Sequence, residues 1–172
     1  MTISRVVRSC GADEKRIRGK DMVQRARIQK SRMHNECYFD SCFWIALYDA
    51  REEDHEWAKE TWNKLQNGNK FLVPYPTMYE FINTRLMRRE KNVLFFKKSF
   101  ESDVAIRISD EQYKEEALRV TLESIGRALS LVDMTIRLMI ADDTIKKHAL
   151  LTLNVGDFND VCLAKNVEMI TR

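Results

Sequence analysis

Apolar residues change their spacing along this chain. From Glu36 onward, short runs of consecutive apolar residues alternate with longer stretches in which they return every three or four positions. The runs ECYFD, KFLVP, VAIRIS, ALLTLN and VEMIT read as strands, and near-continuous apolar runs suit strands buried on both faces. Between them, SCFWIALYDA reads as a helix opened by Ser41. DHEWAKETWNKLQNG follows with Trp57, Thr61 and Leu65 at i, i+4 and i+8, closed by Asn67-Gly68. Pro74 and Pro76 end KFLVP and start the helix TMYEFINTRLMRRE. NVLFFKKSFES, a long DEQYKEEALRVTLESIGRA capped by Asp110, and DMTIRLMIADDTIKKH are further helices. DFNDVCLAK is a short turn or helix.

Strands and helices that alternate with short connections predict an α/β fold: three α/β/α layers around a mostly parallel central sheet. In such sheets, sites form beyond the carboxyl ends of the strands. The alternation occupies residues 36–172, and residues 1–35 lack a well-formed apolar stripe. The predicted division is therefore a basic N-terminal extension followed by one domain.

Charge sharpens that division. The chain of 172 residues carries a net +3. Residues 1–36 hold ten Lys/Arg against four Asp/Glu, so the rest of the chain is mildly acidic. The arm reads as a solvated extension, helical or disordered, as a phosphate-binding arm, or as a segment that folds on a partner. No apolar run approaches the ~18–20 residues of a membrane span, and no apolar segment follows the basic N-terminus as in a secretory signal. Cys10, Cys37, Cys42 and Cys162 lack zinc-site spacing and read as reduced, buried thiols of a cytoplasmic protein. His34, His55 and His148 read as surface residues.

Four acids stand just past predicted strand ends in apolar surroundings: Asp40 in CYFD, Glu80 in MYEFI, Asp133 in SLVDM and Asp157 in GDF. Each alone has a local explanation. Asp40 and Asp157 suit helix caps, while Thr77-x-x-Glu80 and Ser130-x-x-Asp133 match the capping box. A cap contributes only ~1 kcal/mol and requires no convergence. Gathered at one sheet edge, the four would repel, at ~4 kcal/mol per pair 4 Å apart with an effective dielectric near 20. A hard divalent cation relieves that repulsion. An oxygen-only set without His or Cys points to Mg²⁺, with Mn²⁺ as the alternative.

FDSCFWIAL, PTMYEFIN, LSLVDMTI and LLTLNVGDF, in this order, resemble the PIN-domain nucleases, and among them the VapC-type toxins of toxin–antitoxin pairs. The resemblance spans about residues 36–172 and leaves the arm unaccounted for. It implies that Asp40, Glu80, Asp133 and Asp157 are catalytic metal ligands, supported by Ser41 and Asn154, with Thr152 at a strand-end hydroxyl position. It implies an endoribonuclease whose hydrolysis of RNA leaves a 5′-phosphate and a 3′-hydroxyl, a protein antitoxin as partner, and a homodimer. An RNA-processing or DNA-directed nuclease outside a toxin system and a non-catalytic module of the same fold stand as alternatives. Cations to meet the RNA backbone are Arg85, Arg88 and Arg89 on the helix of Glu80, Lys97 and Lys98 on the next, and the arm; each also reads as part of a solvated helix face.

Overall fold

The computed structural model describes residues 36–124, 126 and 129–172. The basic arm, with Cys10 and His34, lies outside the described residues. The elements are β1 (Glu36–Phe39), α1 (Ser41–Tyr48), α2 (His55–Leu65), β2 (Lys70–Pro74), α3 (Tyr75–Ile82), a 3₁₀ turn (Arg85–Arg88), α4 (Glu90–Phe100), β3 (Ala105–Ile108), α5 (Lys114–Glu123), α6 (Leu131–Ala141), β4 (Ala149–Leu151), α7 (Val155–Ala164) and β5 (Glu168–Ile170).

All strand pairs are parallel, and the five-stranded sheet has the order β3-β2-β1-β4-β5. The chain builds outward from β1 to β3, then returns to the other side of β1 as β4. The order reverses between β1 and β4, and that is where open parallel sheets leave a crevice at their carboxyl edge. Asp40 stands in that crevice: its backbone N–H donates to Leu151 O at 3.1 Å, carrying the ladder one residue past β1.

Alternation along the strands divides the core into two layers. Cys37, Phe39, Phe71, Val73, Ala149 and Leu151 face one cluster with residues of α1 to α4. Tyr38, Leu72 and Leu150 face the other, with Ile136, Met139 and Ile140 of α6 and Phe158 and Cys162 of α7. Ala117, Leu129 and Met134 pack together as a smaller cluster between α5 and α6. The predicted three-layer α/β/α architecture is the one observed.

Helix α1 is apolar on most of its circumference because it is covered on several sides. Trp44 lies 5.3 Å from Phe39, 5.4 Å from Trp62 and 5.7 Å from Phe96, ring centre to ring centre. This aromatic packing fixes the start of α1, and with it the strand-to-helix turn that carries Asp40. After α2, Gly68 takes φ +103°, a conformation that favours glycine, and turns the chain into β2.

Several predicted boundaries move. The helix from Thr77 breaks after Ile82, because Asn83 Nδ2 donates to Tyr79 O and Thr84 Oγ1 donates to Phe81 O, satisfying the last carbonyls. Arg85, Arg88 and Arg89 therefore belong to the 3₁₀ turn and its end, not to the helix of Glu80. Helix α5 begins at Lys114, with Asp110 contributing its carbonyl to the N–H groups of Tyr113 and Lys114. Helix α6 stops at Ala141, where Asp142 Oδ1 instead accepts from Thr144 N and Thr144 Oγ1.

Candidate metal-dependent active site

Asp40 is 1% exposed. Its extended backbone makes it the N-cap of α1, and Oδ1 accepts from Ser41 N at 2.6 Å. Oδ2 accepts from Thr152 Oγ1 at 2.8 Å and from Cys42 Sγ at 3.0 Å. Burial pushes its carboxyl above the ordinary carboxylate range, against the pull of these bonds, and the charge of Asp133 adds to the rise. A cap exposed to water would show neither feature.

The Ser41 hydroxyl donates to Glu80 Oε2 at 2.5 Å and lies 3.4 Å from Asp40 Oδ1. One hydroxyl thus spans the two carboxylates. Glu80 is brought there by α3: Thr77, one turn earlier on the same face, is fully buried and donates from Oγ1 to Phe39 O at 3.1 Å. The spacing Thr77-x-x-Glu80 is therefore a docking pair against the end of β1. Neither side chain caps α3, whose N-cap is Pro74, and Glu80 lies beyond its first turn. Burial raises the Glu80 pKa, and the charges of Asp40 and Asp133 raise it further.

Asp133 performs the capping role read from its spacing. Ser130 and Asp133 form a complete capping box at the start of α6, with Asp133 Oδ2 accepting from Ser130 Oγ at 2.6 Å. Its charge nevertheless bears on both Asp40 and Glu80. The local role and the long-range one coexist in a single side chain.

Asp157 sits in the first turn of α7 and is partly buried. Its carbonyl accepts from Arg137, whose guanidinium also grips Asp160 through two bonds of 2.6 and 2.7 Å. The charge of Asp157 acts on Arg137. Asn154 is the exposed N-cap of α7, and its backbone N–H donates to Thr152 Oγ1 at 2.9 Å. The structure thus links Asp40 with Glu80, sets the Asp133 charge on both, and gives Asp157 a different neighbour.

The donor set suits a hard cation. Asp40 and Glu80 present oxygen donors whose pKa values are raised by burial and by neighbouring carboxylate charge. Among the described residues, no three His, Cys, Asp or Glu side chains converge closely enough to hold one metal ion. Mg²⁺ does not require three, because it keeps several waters and is commonly held by one or two carboxylates.

Cys42 is the site residue that sequence reading missed. In sequence it reads as a buried thiol, as Cys37 and Cys162 are, whereas Cys42 is half-buried. The signal was its place two residues after Asp40, at the start of a helix. The candidate cations Arg85, Arg88, Arg89, Lys97 and Lys98 are all exposed, and Lys97 lies 4.0 Å from Glu101. His55 and His148 are not surface residues: both are partly buried, with His55 Nδ1 2.8 Å from Ala46 O and His148 Nδ1 accepting from Glu36 N at 3.1 Å. No described helix is long and apolar enough to cross a membrane.

No protein-family model matches the chain, and no curated protein matches it. Solved structures do. VapC20 of Mycobacterium tuberculosis, a sarcin–ricin loop cleaving toxin, aligns with a TM-score of 0.54 and 20% identity over 66% of this chain and 86% of its own. VapBC2 from Rickettsia felis, bound to a DNA fragment from its promoter, aligns with a TM-score of 0.52 and 12% identity over 79% of this chain and 98% of its own. At these identities the likeness is one of fold alone: the α/β/α architecture around a parallel sheet resembles that of the VapC20 and VapBC2 structures.

Proposed function

We propose that this protein is a divalent-metal-dependent endoribonuclease of the VapC kind, acting on RNA phosphodiester bonds. One observation carries the reading: two carboxylates, Asp40 and Glu80, stand on either side of the Ser41 hydroxyl at the carboxyl end of β1, their pKa values raised by burial, by the charge of Asp133 on both and by that of Asp40 on Glu80. Such charge is costly unless a cation shares it.

Asp40 and Glu80 would hold Mg²⁺ or Mn²⁺, with Asp133 near enough to add its charge and Asp157 proposed as the fourth acid of the set. A bound divalent ion supplies Lewis-acid stabilisation of a phosphoryl oxygen and an activated water. Ser41 orients Glu80, and Thr77 sets the height of α3 against β1. Asn154 positions Thr152 through its backbone, and Thr152 in turn holds Asp40. Arg85, Arg88, Arg89, Lys97 and Lys98 are the proposed contacts to the RNA backbone, since the acidic mouth itself repels phosphate.

The likeness to VapBC2 supports a protein antitoxin as partner. Exposed Tyr79, Ile82, Leu118, Leu122 and Leu131 offer apolar surface for such a partner or for a homodimer. A second reading, a non-catalytic module of the same fold, is favoured by the lack of three converging acids among the described residues.

Purified protein incubated with RNA separates the two readings. The nuclease reading expects cleavage with Mg²⁺ or Mn²⁺, none with chelator, and none from Asp40→Asn. Cleavage by Asp40→Asn at the wild-type rate overturns it, and no cleavage by the wild type under any divalent ion favours the module.

A further inference from the structure

We propose that Cys42 is a positioning residue: with Thr152 it clamps one oxygen of Asp40 and leaves the other to face the metal. This rests on the metal-dependent reading above and adds to it a role for a thiol. Asp40 Oδ2 accepts from Cys42 Sγ at 3.0 Å and from Thr152 Oγ1 at 2.8 Å, which uses both of its lone-pair directions. Both donors are themselves held by backbone N–H groups just past β4: Leu153 N donates to Cys42 Sγ at 3.1 Å, and Asn154 N to Thr152 Oγ1 at 2.9 Å. The end of β4 therefore grips Asp40 through two side chains.

Oδ1 is differently placed. It accepts from Ser41 N at 2.6 Å, while the single Ser41 hydroxyl proton goes to Glu80 Oε2 at 2.5 Å and leaves a longer 3.4 Å separation to Oδ1. With that proton spent on Glu80, one lone pair of Oδ1 is left for a further partner. Asp40 is thus a monodentate ligand whose rotation is stopped by the thiol and the threonine hydroxyl. Partners of this kind fix the orientation of a ligand and tune its affinity.

The test uses the full chain, with Mn²⁺ as the probe in calorimetry and infrared spectroscopy of the S–H stretch. Cys42→Ala should weaken Mn²⁺ binding by about tenfold or more, the usual effect of losing such a partner, while Cys42→Ser, which keeps a donor, should stay within about threefold of wild type. Equal affinity in Cys42→Ala and wild type overturns the proposal, as does a loss in Cys42→Ser as large as in Cys42→Ala. The Cys42 S–H band, assigned by its loss in Cys42→Ser, should lie below that of a solvated thiol and rise in Asp40→Asn, a weaker acceptor. A band that Asp40→Asn leaves unmoved overturns the proposal. If wild type binds no Mn²⁺, the nuclease reading fails and the infrared band alone decides whether the thiol holds Asp40.

Discussion

The Ser41 hydroxyl donates to the Glu80 carboxylate at 2.5 Å, joining helices α1 and α3 across 39 positions of sequence. This bond is the hinge of the site, since Ser41 follows Asp40 directly and Glu80 follows Thr77 by one turn. Ser41→Ala removes the donor and leaves a half-buried carboxylate without it. The expected cost is about 1.5–3 kcal/mol, the range for a hydrogen bond to a charged group. Urea denaturation in chelator checks this, and an unchanged midpoint contradicts it.

Thr77 tests the docking of α3 in isolation from the acids. Its fully buried hydroxyl serves the Phe39 carbonyl one residue before Asp40. Thr77→Val keeps the volume and orphans that carbonyl. It should cost about 1–3 kcal/mol of stability and weaken metal binding through Glu80. Full stability together with full metal affinity would mean that α3 is placed by its apolar contacts alone.

The two roles of Asp133 are separable. Ser130→Ala removes the cap at the start of α6 and should cost about 1 kcal/mol with little effect on Mn²⁺ binding. Asp133→Asn keeps an acceptor for the cap but removes the charge felt by Asp40 and Glu80. It should weaken Mn²⁺ binding with a smaller loss of stability. The reverse pattern would assign Asp133 to the helix cap alone.

Acidity should stabilise the metal-free protein. The folded pKa values of Asp40 and Glu80 are raised, so the native state binds more protons than the unfolded chain once pH exceeds the ordinary carboxylate range. Their contribution is fully present below the unfolded values and is lost as pH rises through the raised ones. Asp49 and Asp142 have the opposite sign: each is held at about 2, by Arg51 and by Tyr113 respectively, so neither changes charge between pH 5 and 7. In chelator, the melting temperature should rise from pH 7 to pH 5, and Asp40→Asn with Glu80→Gln should flatten that rise. An equal rise in the double variant would place its source elsewhere.

The layers were legible because each element repeats its own period. KFLVP is buried on alternate faces by α1–α4 and by α6–α7, so its continuous apolar run could only be a central strand. The helix ends were less legible, because they depend on which carbonyl a side chain reaches. Asn83 and Thr84 stop α3 by turning back on it, a choice that composition does not determine. Asp40 and Glu80 come together because the strands before them, β1 and β2, are parallel neighbours with their carboxyl ends side by side. The neighbour of Asp157 could not be read from sequence, since it depends on how the first turn of α7 winds against Arg137 of α6. Cys42 was hidden by its chemistry, because a thiol in an apolar run looks like core until its acceptor is known.

The central claim is that Asp40 and Glu80 share a divalent cation. Calorimetric titration of Mn²⁺ into the chelator-stripped full chain tests it most directly, with Asp40→Asn and Glu80→Gln titrated in parallel. The account expects saturable binding by the wild type and a loss of at least about tenfold in affinity in each variant. Wild-type protein that takes up no Mn²⁺, or variants that bind it as tightly as wild type, would contradict the account.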